Sequence, residues 1–353
     1  MTNCIFICIF NNVNFVNMFY LLLESIKLYG NLNDNIEILI YTSTTFMNII
    51  KHNRLYTNKI KFEINDSYNN IDKACKARLD LFKLQSINNY EKVLYLDTDI
   101  LIKNIIQNDT YNDINNVFDI ATDNILYVLE EGNITNGSDF WGNTLFGNET
   151  SNYSDKSAFT SGILLFKNCL EIRNLFDKIN EDIINRPHNF CCYDQPYIIY
   201  NAFKYNLFNN KLLKSICVNN DNHVNSSKII HHFPGGPGSY EHKIKQMTKF
   251  LDNLKKSNII NDNDIPQIVN YQNGKIITNI ENKTYQWENS TITFLEKCKM
   301  NAFGDGYYTY INEHTIEAYF GSRTHTITFE ENYQNFISIR DTDSQQVNGK
   351  LIK

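Results

Sequence analysis

The residues of this sequence most able to do chemistry are two carboxylates, Asp97 and Asp99, which flank Thr98 directly after the apolar residues 93–96 (VLYL). Two ionised carboxylates this close repel each other, and desolvating either one alone is costly. A divalent cation removes that cost, because residues two apart can lie on one side of the chain and present hard oxygen ligands. Since an isolated D-x-D also occurs in solvated turns, the motif alone predicts a metal site only weakly.

The apolar residues before Asp97 are typical of a buried strand in a parallel sheet, which is covered on both faces and loses polar alternation. Further strands are predicted at 4–10, 36–41, 59–64, 119–122, 163–166 and 229–230, and helices at 15–30, 73–87, 169–185, 194–203 and 244–254. Alternating strands and helices predict an α/β fold with a mostly parallel, Rossmann-like central sheet, whose strand ends bind ligands. Residues 126–156 are polar and rich in Gly and Asn, and are expected to form a long active-site loop.

After a polar linker at residues 257–264, the pattern changes to short strands separated by Gly, Asn and Asp. These strands are predicted at 276–280, 291–295, 307–311, 315–320, 324–329 and 336–339. The chain is therefore predicted to contain an α/β domain over residues 1–260 and a small antiparallel β domain over residues 265–353.

Composition narrows the class of protein. The chain has 353 residues, a net charge of −6 and no block of Lys or Arg, so no nucleic-acid surface is expected. Its eight cysteines show neither zinc spacing nor a disulfide framework, and no apolar run suits a signal peptide or a transmembrane span. We expect reduced thiols and a cytoplasmic location. Heavy use of Asn and Ile indicates an AT-rich genome, such as that of a large DNA virus; the location would then be the host cytoplasm or the virion.

Several segments follow one another in a specific order. They are the N-terminal strand and helix, a helix with Arg78, the D-T-D motif, a strand with Ser161-Gly162 followed by Asp194-Gln195, and the sequence H-F-P-G beginning at His232. As an ordered set they resemble the family 8 retaining glycosyltransferases, the group of glycogenin and the bacterial galactosyltransferases, which have the GT-A fold. The resemblance covers residues 1–256 and leaves the β domain outside it.

The resemblance implies that Asp97 and Asp99 hold Mn²⁺, or alternatively Mg²⁺, on the diphosphate of a UDP-sugar, with His232 as the third protein ligand. An imidazole ligand favours Mn²⁺. Because His231 and His232 are adjacent on a strand, they should point to opposite faces, and at most one should bind. A histidine satisfied within the core or a turn is the competing interpretation of His232.

The resemblance also implies a donor-binding set. It comprises Phe10, Asn11, Phe15, Arg78, Asp97, Thr98, Asp99, Gly235 and Lys243. The first three would surround the uracil and ribose, although Phe15 could equally be the first apolar residue of its helix. Where the family has a lysine this chain has Gly238, so Lys243 is the expected substitute, with backbone N–H groups of residues 234–238 as the alternative. Arg78 could instead be a solvated helix residue.

For catalysis, the resemblance implies that Asp123 and Asp194 contact the donor sugar and acceptor, and that Gln195 faces the anomeric carbon. No nucleophilic carboxylate is evident, which implies front-face attack with Gln195 stabilising an oxocarbenium-like charge. Asp194 could instead only cap the helix that carries Pro196.

The sequence thus predicts a metal-dependent, retaining hexosyltransferase that moves a hexose or N-acetylhexosamine from a UDP-sugar to a glycan, protein or other hydroxyl acceptor, with a homodimer allowed. The alternative is a catalytically weak protein that binds sugars or nucleotide-sugars, with a lectin-like β domain. Its aromatic candidates are Trp287, Tyr307, Tyr308 and Tyr310. A haloacid-dehalogenase-type phosphatase also places D-x-D after a strand, but near the start of its domain and with a later G-D-x-x-x-D motif that this sequence lacks.

Overall fold

The computed structural model describes residues 2–53, 55–107, 110–135, 139–190, 192–220, 223–235, 240–257, 280–295, 299–302, 304–312, 314–320, 323–340 and 344–353. The chain divides into two compact units, one formed by residues 1–47 and 55–259 and the other by residues 48–54 and 260–353. The domain boundary predicted near residue 260 stays a prediction, because residues 258–279 lie outside the described part.

The first unit is organised around a seven-stranded sheet. The strands before residue 233 are β1 (Thr2–Ile9), β2 (Ile36–Thr42), β3 (Ile60–Ile64), β4 (Tyr90–Leu96), β5 (Ile100–Ile102), β6 (Ile105–Gln107), β7 (Thr110–Asn112), β8 (Leu126–Asn133), β9 (Ser157–Lys167), β10 (Phe208–Asn209), β11 (Cys217–Asn219) and β12 (Ile230–His232). The large sheet has the order β10-β8-β9-β4-β1-β2-β3, in which β9 is antiparallel to both neighbours and the other pairs are parallel. A smaller sheet has the order β11-β12-β5. The predicted α/β fold with a mostly parallel central sheet is confirmed.

Helices complete the α/β arrangement. They are α1 (Val13–Ser25), α2 (Thr44–Lys51), α3 (Ile71–Lys76), α4 (Ile114–Val117), α5 (Asn143–Phe146), α6 (Leu170–Asn185), α7 (Gln195–Lys204) and α8 (Tyr240–Ser257). Strand β9 is buried along almost its whole length and β4 over its last four residues, which fits the apolar runs at residues 163–166 and 93–96. Among the described residues, we find no helix whose length and apolar character would let it cross a bilayer.

Two sequence-based predictions between residues 119 and 156 are wrong. Residues 119–122 are not a strand, because Phe118–Ile120 is a 3₁₀ helix and the chain then turns. The strand is β8, which lies inside the segment predicted to be a loop. Its first four residues are buried in the sheet, while Glu130 and Glu131 made the segment look polar in the sequence.

The helix predicted over residues 73–87 is also not continuous. Helix α3 ends at Lys76, and two 3₁₀ helices follow, Ala77–Lys83 and Gln85–Asn89. Arg78 lies in the first of these 3₁₀ helices, and its side chain is buried.

Within the described part of the second unit, eight antiparallel strands close into a barrel, and the predicted small antiparallel β domain is confirmed. The strands are β13 (Thr284–Trp287), β14 (Ser290–Phe294), β15 (Lys299–Asn301), β16 (Asp305–Asn312), β17 (Thr315–Phe320), β18 (Arg323–Phe329), β19 (Asn335–Arg340) and β20 (Gln346–Leu351). Strands β13, β15 and β20 were missed. The strand predicted at 276–280 and the linker at 257–264 lie almost wholly outside the described residues.

The barrel core bears on the lectin-like alternative. Trp287 and Tyr308 are only 6% and 1% exposed and belong to the apolar cluster that fills the barrel. Neither ring is therefore available to stack on a sugar from solvent. The side chains of Tyr307 and Tyr310 lie outside the described part of the structure.

Candidate active site

A cavity of about 380 Å³ lies at the carboxyl ends of β1, β4 and β8. Its lining includes Cys8, Phe10, Phe15, Arg78, Asp97, Thr98, Asp99, Glu131, Phe140, Trp141, Ser161, Gly162, Tyr193, Asp194, Gln195, His232, Gly235, Tyr240 and Lys243. This edge is where open α/β sheets bind ligands, and the volume suits a small-molecule site.

Asp97, Asp99 and His232 meet at this cavity, with their candidate ligand atoms all within 4.8 Å of one another. The backbone N–H of Asp97 donates to Gly162 O at 2.9 Å, so the strand pairing of β4 with β9 continues to the first carboxylate. The antiparallel pairing of β5 with β12 brings the other two together, since the N–H of Phe233 donates to Asp99 O at 2.9 Å. Backbone pairing thus positions all three side chains.

The three side chains fit a divalent cation. Asp99 Oδ1 is buried and accepts no hydrogen bond from the part of the chain that the structure describes; His232 Nε2 lies 3.5 Å from it. His232 Nδ1 donates to Asn219 Oδ1 at 2.8 Å, which leaves Nε2 facing the carboxylates. A metal-binding imidazole is commonly oriented in this way by a partner on its other nitrogen.

Gly162 provides the space that this cluster occupies. A Cβ atom added there would lie 2.8 Å from His232 Cε1 and 2.9 Å from Asp97 Oδ2. Real Cβ contacts are longer than this, so any larger residue would displace the imidazole or the carboxylate.

His231 lies on the opposite side of β12 from the cavity. Its ring centroid is 4.5 Å from that of Phe250, and its Nε2 lies 3.2 Å from Lys228 O. The two adjacent histidines therefore have different surroundings, and His232 is the one that reaches the carboxylates.

Lys243 contacts one of the candidate metal ligands directly. Its Nζ lies 2.5 Å from Asp99 Oδ2, and both side chains are only 8% exposed. Burial alone would raise the pKa of the Asp99 carboxyl, but the Lys243 ammonium and the His232 imidazole outweigh it and hold that pKa below its usual range. Lys243, the lysine expected to contact phosphate, thus lines the cavity and is paired with the Asp99 carboxylate. Gly238 lies outside the described residues.

Arg78 and Asp194 form a buried, bidentate ion pair. Arg78 Nε and Nη2 donate to the two carboxylate oxygens of Asp194 at 2.8 and 3.0 Å, and Nη1 donates to Ser161 O at 2.7 Å and to Asp97 Oδ1 at 3.3 Å. Asp194 occupies the N-cap position of α7, but it is 0% exposed and its side chain makes no capping hydrogen bond to the helix, so it is not only a helix cap. Arg78 is likewise not a solvated helix residue. The guanidinium joins three parts of the cavity wall.

Gln195 is the first residue of α7, and its amide is fixed by both ends. Its Oε1 accepts from the N–H and the hydroxyl of Ser161 at 2.9 and 3.1 Å, and its Nε2 donates to Phe140 O at 3.2 Å. The side chain therefore presents a neutral, oriented amide to the cavity.

The remaining donor-binding candidates are only partly brought together. Phe10 is buried, with its ring centroid 5.0 Å from that of Tyr41, and it forms part of the cavity wall. Phe15 lies edge-on to Tyr240 at 5.3 Å between centroids. Thr98 and Gly235 also line the cavity. Asn11 is exposed, with a φ of +66°, and it is not part of the lining.

Asp123 is not brought to the cavity, contrary to the prediction. It precedes β8, which runs parallel to β4 because both are antiparallel to β9, so it lies at the opposite edge of the sheet from Asp97. There its N–H donates to the Tyr127 hydroxyl at 2.9 Å. The error follows from assigning the strand to residues 119–122, one element too early.

Glu131 is a cavity residue that the sequence analysis missed. It lies near the carboxyl end of β8 and lines the cavity, and burial raises the pKa of its carboxyl, opposed by the nearby His232 imidazole. A signal was present in the sequence: an apolar quartet, residues 126–129, runs into acidic residues just as residues 93–96 run into Asp97.

No protein-family model and no curated protein matches the chain. Solved structures similar to it include the bifunctional glycosyltransferase WbbM, at 14% identity over 72% of this chain and 51% of that one, with a TM-score of 0.47. The galactosyltransferase LgtC, in complex with donor and acceptor sugar analogues, matches at 15% identity over 71% and 96%, TM-score 0.48. Mouse xyloside xylosyltransferase 1 matches at 12% identity over 66% and 98%, TM-score 0.47. Similarities of this size carry no argument about the activity of this chain.

Proposed function

We propose that the chain is a metal-dependent, retaining glycosyltransferase that moves a hexose or N-acetylhexosamine from a UDP-sugar to a hydroxyl acceptor. The observation that carries the proposal is the cluster of Asp97, Asp99 and His232 at the ligand-binding edge of the sheet, with one buried carboxylate oxygen left without a hydrogen bond by the described residues. A set of metal-binding side chains of this kind could serve many different reactions. The ordered motifs that resemble family 8 enzymes favour glycosyl transfer among them.

Asp97, Asp99 and His232 would hold the cation, and the imidazole in the set favours Mn²⁺ over Mg²⁺. When bound, such a cation neutralises the negative charge that develops on a departing diphosphate. The aromatic rings of Phe15 and Phe10 line the same cavity and would contact the uracil. Lys243 would contact the diphosphate once its carboxylate partner is shared with the cation.

The transferred sugar would lie between the cation and α7. Gln195 carries no charge and is held by Ser161 and Phe140, so it would stabilise an oxocarbenium-like sugar through its dipole without becoming covalent. Arg78 would act by holding Asp194 and Asp97 in place, since its hydrogen bonds already go to those carboxylates and to Ser161. Glu131 replaces Asp123 as the carboxylate proposed to meet sugar hydroxyl groups.

The proposal is tested with a panel of UDP-sugars and Mn²⁺, measuring release of UDP. At least one UDP-glucose, UDP-galactose or N-acetylhexosamine donor should be turned over, and excess EDTA should stop the reaction. No turnover of any donor, or full activity in EDTA, would count against a metal-dependent transferase. The anomeric configuration of the product, read by NMR, separates retention from inversion.

The two histidines provide a matched pair for the metal assignment. His232→Ala is expected to weaken binding of Mn²⁺ by about 10- to 100-fold, because it removes a ligand that Asn219 orients. His231→Ala should leave Mn²⁺ affinity close to that of the wild type, since its ring packs on Phe250 instead. Calorimetric titration of Mn²⁺ into both variants checks this. If His231→Ala is the damaging change, the assignment along β12 is wrong.

The ion pair between Lys243 and Asp99 leads to a second prediction about metal affinity. Because its ammonium already occupies Asp99 Oδ2, it competes with a cation, and Lys243→Met is expected to bind Mn²⁺ about tenfold more tightly when nucleotide is absent. When UDP is present, the variant should no longer bind Mn²⁺ more tightly than the wild type, because Lys243→Met also removes the proposed contact between Lys243 and the UDP phosphates. Lys255→Met, which removes another ion-paired lysine of α8, is the control. Unchanged or weaker Mn²⁺ binding by Lys243→Met would contradict the competition.

A further inference from the structure

Two aromatic side chains on one short turn form part of the cavity wall. Phe140 and Trp141 belong to the 3₁₀ helix Asp139–Trp141, and both line the cavity. Phe140 is 45% exposed, unlike the aromatic rings of the core. Exposed apolar surface scattered over a protein means little, but an exposed ring at a concave polar site is typical of a binding surface.

The turn that carries these rings is held from several sides. Asp139 accepts hydrogen bonds at Oδ1 from the N–H of Thr144, at 3.2 Å, and from its hydroxyl. Gly142 has a φ of +84° and faces Pro196, whose carbonyl oxygen would lie 2.9 Å from an added Cβ. The Trp141 indole covers Gly132, where an added Cβ would lie 2.2 Å from two ring carbons. The turn and the Trp141 ring are therefore pre-organised, which reduces the entropy lost when a ligand binds.

The position of the turn relates it to the proposed chemistry. Phe140 O accepts from Gln195 Nε2 at 3.2 Å, and Gln195 is the side chain proposed to face the anomeric carbon. On the proposed function, a group that attacks this carbon on the side of Gln195 would approach close to Phe140. Tyr193, next to Asp194, also lines the cavity and has a φ of +51°, a backbone conformation that is rare for a bulky residue.

A flat apolar wall beside carboxylates and an amide matches the chemistry of a sugar ring. A pyranose has an apolar face of C–H groups, which packs on an aromatic ring, and an edge of hydroxyl groups, which hydrogen-bond to polar side chains. Glu131 and Gln195 supply polar groups of this cavity. We infer that the acceptor of the proposed transfer is a saccharide that stacks on Phe140 and Trp141, an inference that rests on the proposed function.

Tryptophan fluorescence tests this without requiring turnover. The chain has two tryptophans, Trp141 and Trp287, and the second is buried in the barrel core. Wild-type protein with UDP and Mn²⁺ is titrated with methyl glycosides and disaccharides of glucose, galactose and N-acetylglucosamine. At least one saccharide should change the emission, and Trp141→Phe should remove the change. Phe140→Ala should weaken this saccharide's affinity by about tenfold or more, as expected when an aromatic anchor is truncated.

Two further variants make the result specific. Phe140→Tyr keeps the ring and should restore affinity, whereas Tyr205→Ala removes a comparably exposed aromatic (47%) that does not line the cavity, and should have no effect. Equal affinity of Phe140→Ala and wild type, or no emission change with any saccharide, would overturn the inference. So would transfer to Ser-, Thr- or Tyr-containing peptides but to no saccharide. Failure of UDP release from every donor would instead count against the proposed function, since the titration does not depend on it.

Discussion

Replacing both aspartates of the D-T-D motif, as Asp97→Asn plus Asp99→Asn, is expected to abolish Mn²⁺ binding and UDP release together. The change removes the anionic ligands and almost no volume; because it also leaves the buried Lys243 ammonium without its carboxylate partner, circular dichroism checks that the variant is folded. Loss of activity to the level of the EDTA-treated wild type is the expected size of the effect. Calorimetry with Mn²⁺ and a UDP-release assay measure the two quantities separately.

The double variant needs a control that removes a carboxylate close to the cavity but not part of its lining. Glu130→Gln serves, because Glu130 adjoins Glu131 on β8 but pairs with Lys211 and Lys214 at 2.7 and 3.1 Å. It should retain both Mn²⁺ binding and turnover. Normal turnover in the Asp97/Asp99 variant, with a circular dichroism spectrum like that of the wild type, would show that these carboxylates do not serve the reaction.

The two carboxylates of the candidate metal site were predictable from the sequence because they follow a strand end, whereas His232 was assigned through the resemblance to the family 8 enzymes. An apolar run into Asp97 predicts where β4 stops, and His232 follows a second short apolar segment. The structure brings His232 to the carboxylates through the antiparallel pairing of β12 with β5, in which His232 lies opposite Ile100, the residue after Asp99. The alternation of side chains along a strand then distinguishes His232 from His231.

The Asp123 prediction failed because its strand was misplaced along the chain. Assigning a strand to residues 119–122 put Asp123 at the carboxyl end of an element, whereas it precedes β8. Glu131 at the other end of that strand lines the cavity instead. An error of this kind in the position of a strand moves a residue from one edge of the sheet to the other. A suitable residue type is therefore not enough to assign a residue to the site.

The ion pairs could not be read from the sequence at all. Lys243 and Asp99, like Arg78 and Asp194, are more than a hundred positions apart, and nothing local in the sequence indicates that either pair meets.

The barrel was also only partly predictable from the sequence. Its alternating strands were largely visible, but short strands such as Lys299–Asn301 offer too few residues for a periodic signal, and closure depends on the pairing of β13 with β20.

Arg78 should prove to be a positioning residue whose loss destabilises the first unit. Arg78→Met leaves Asp194 fully buried without its partner, and breaking a buried ion pair from one side costs about 3–5 kcal/mol. The added substitution Asp194→Asn should recover much of this loss, since no unpaired charge then remains. Lys178→Met, which breaks an exposed pair on α6, should change little.

The measurement is urea unfolding followed by Trp141 fluorescence, in a Trp287→Phe background so that the first unit alone is reported. Burial raises the pKa of the Asp194 carboxyl and Arg78 opposes that rise. Without Arg78 the folded-state pKa lies further above the unfolded one, so Arg78→Met should lose stability as the pH rises above the ordinary carboxyl range and regain it at lower pH. If Arg78→Met instead unfolds like the wild type at neutral pH and only weakens UDP-sugar binding, then Arg78 contacts the donor directly and the positioning role is wrong.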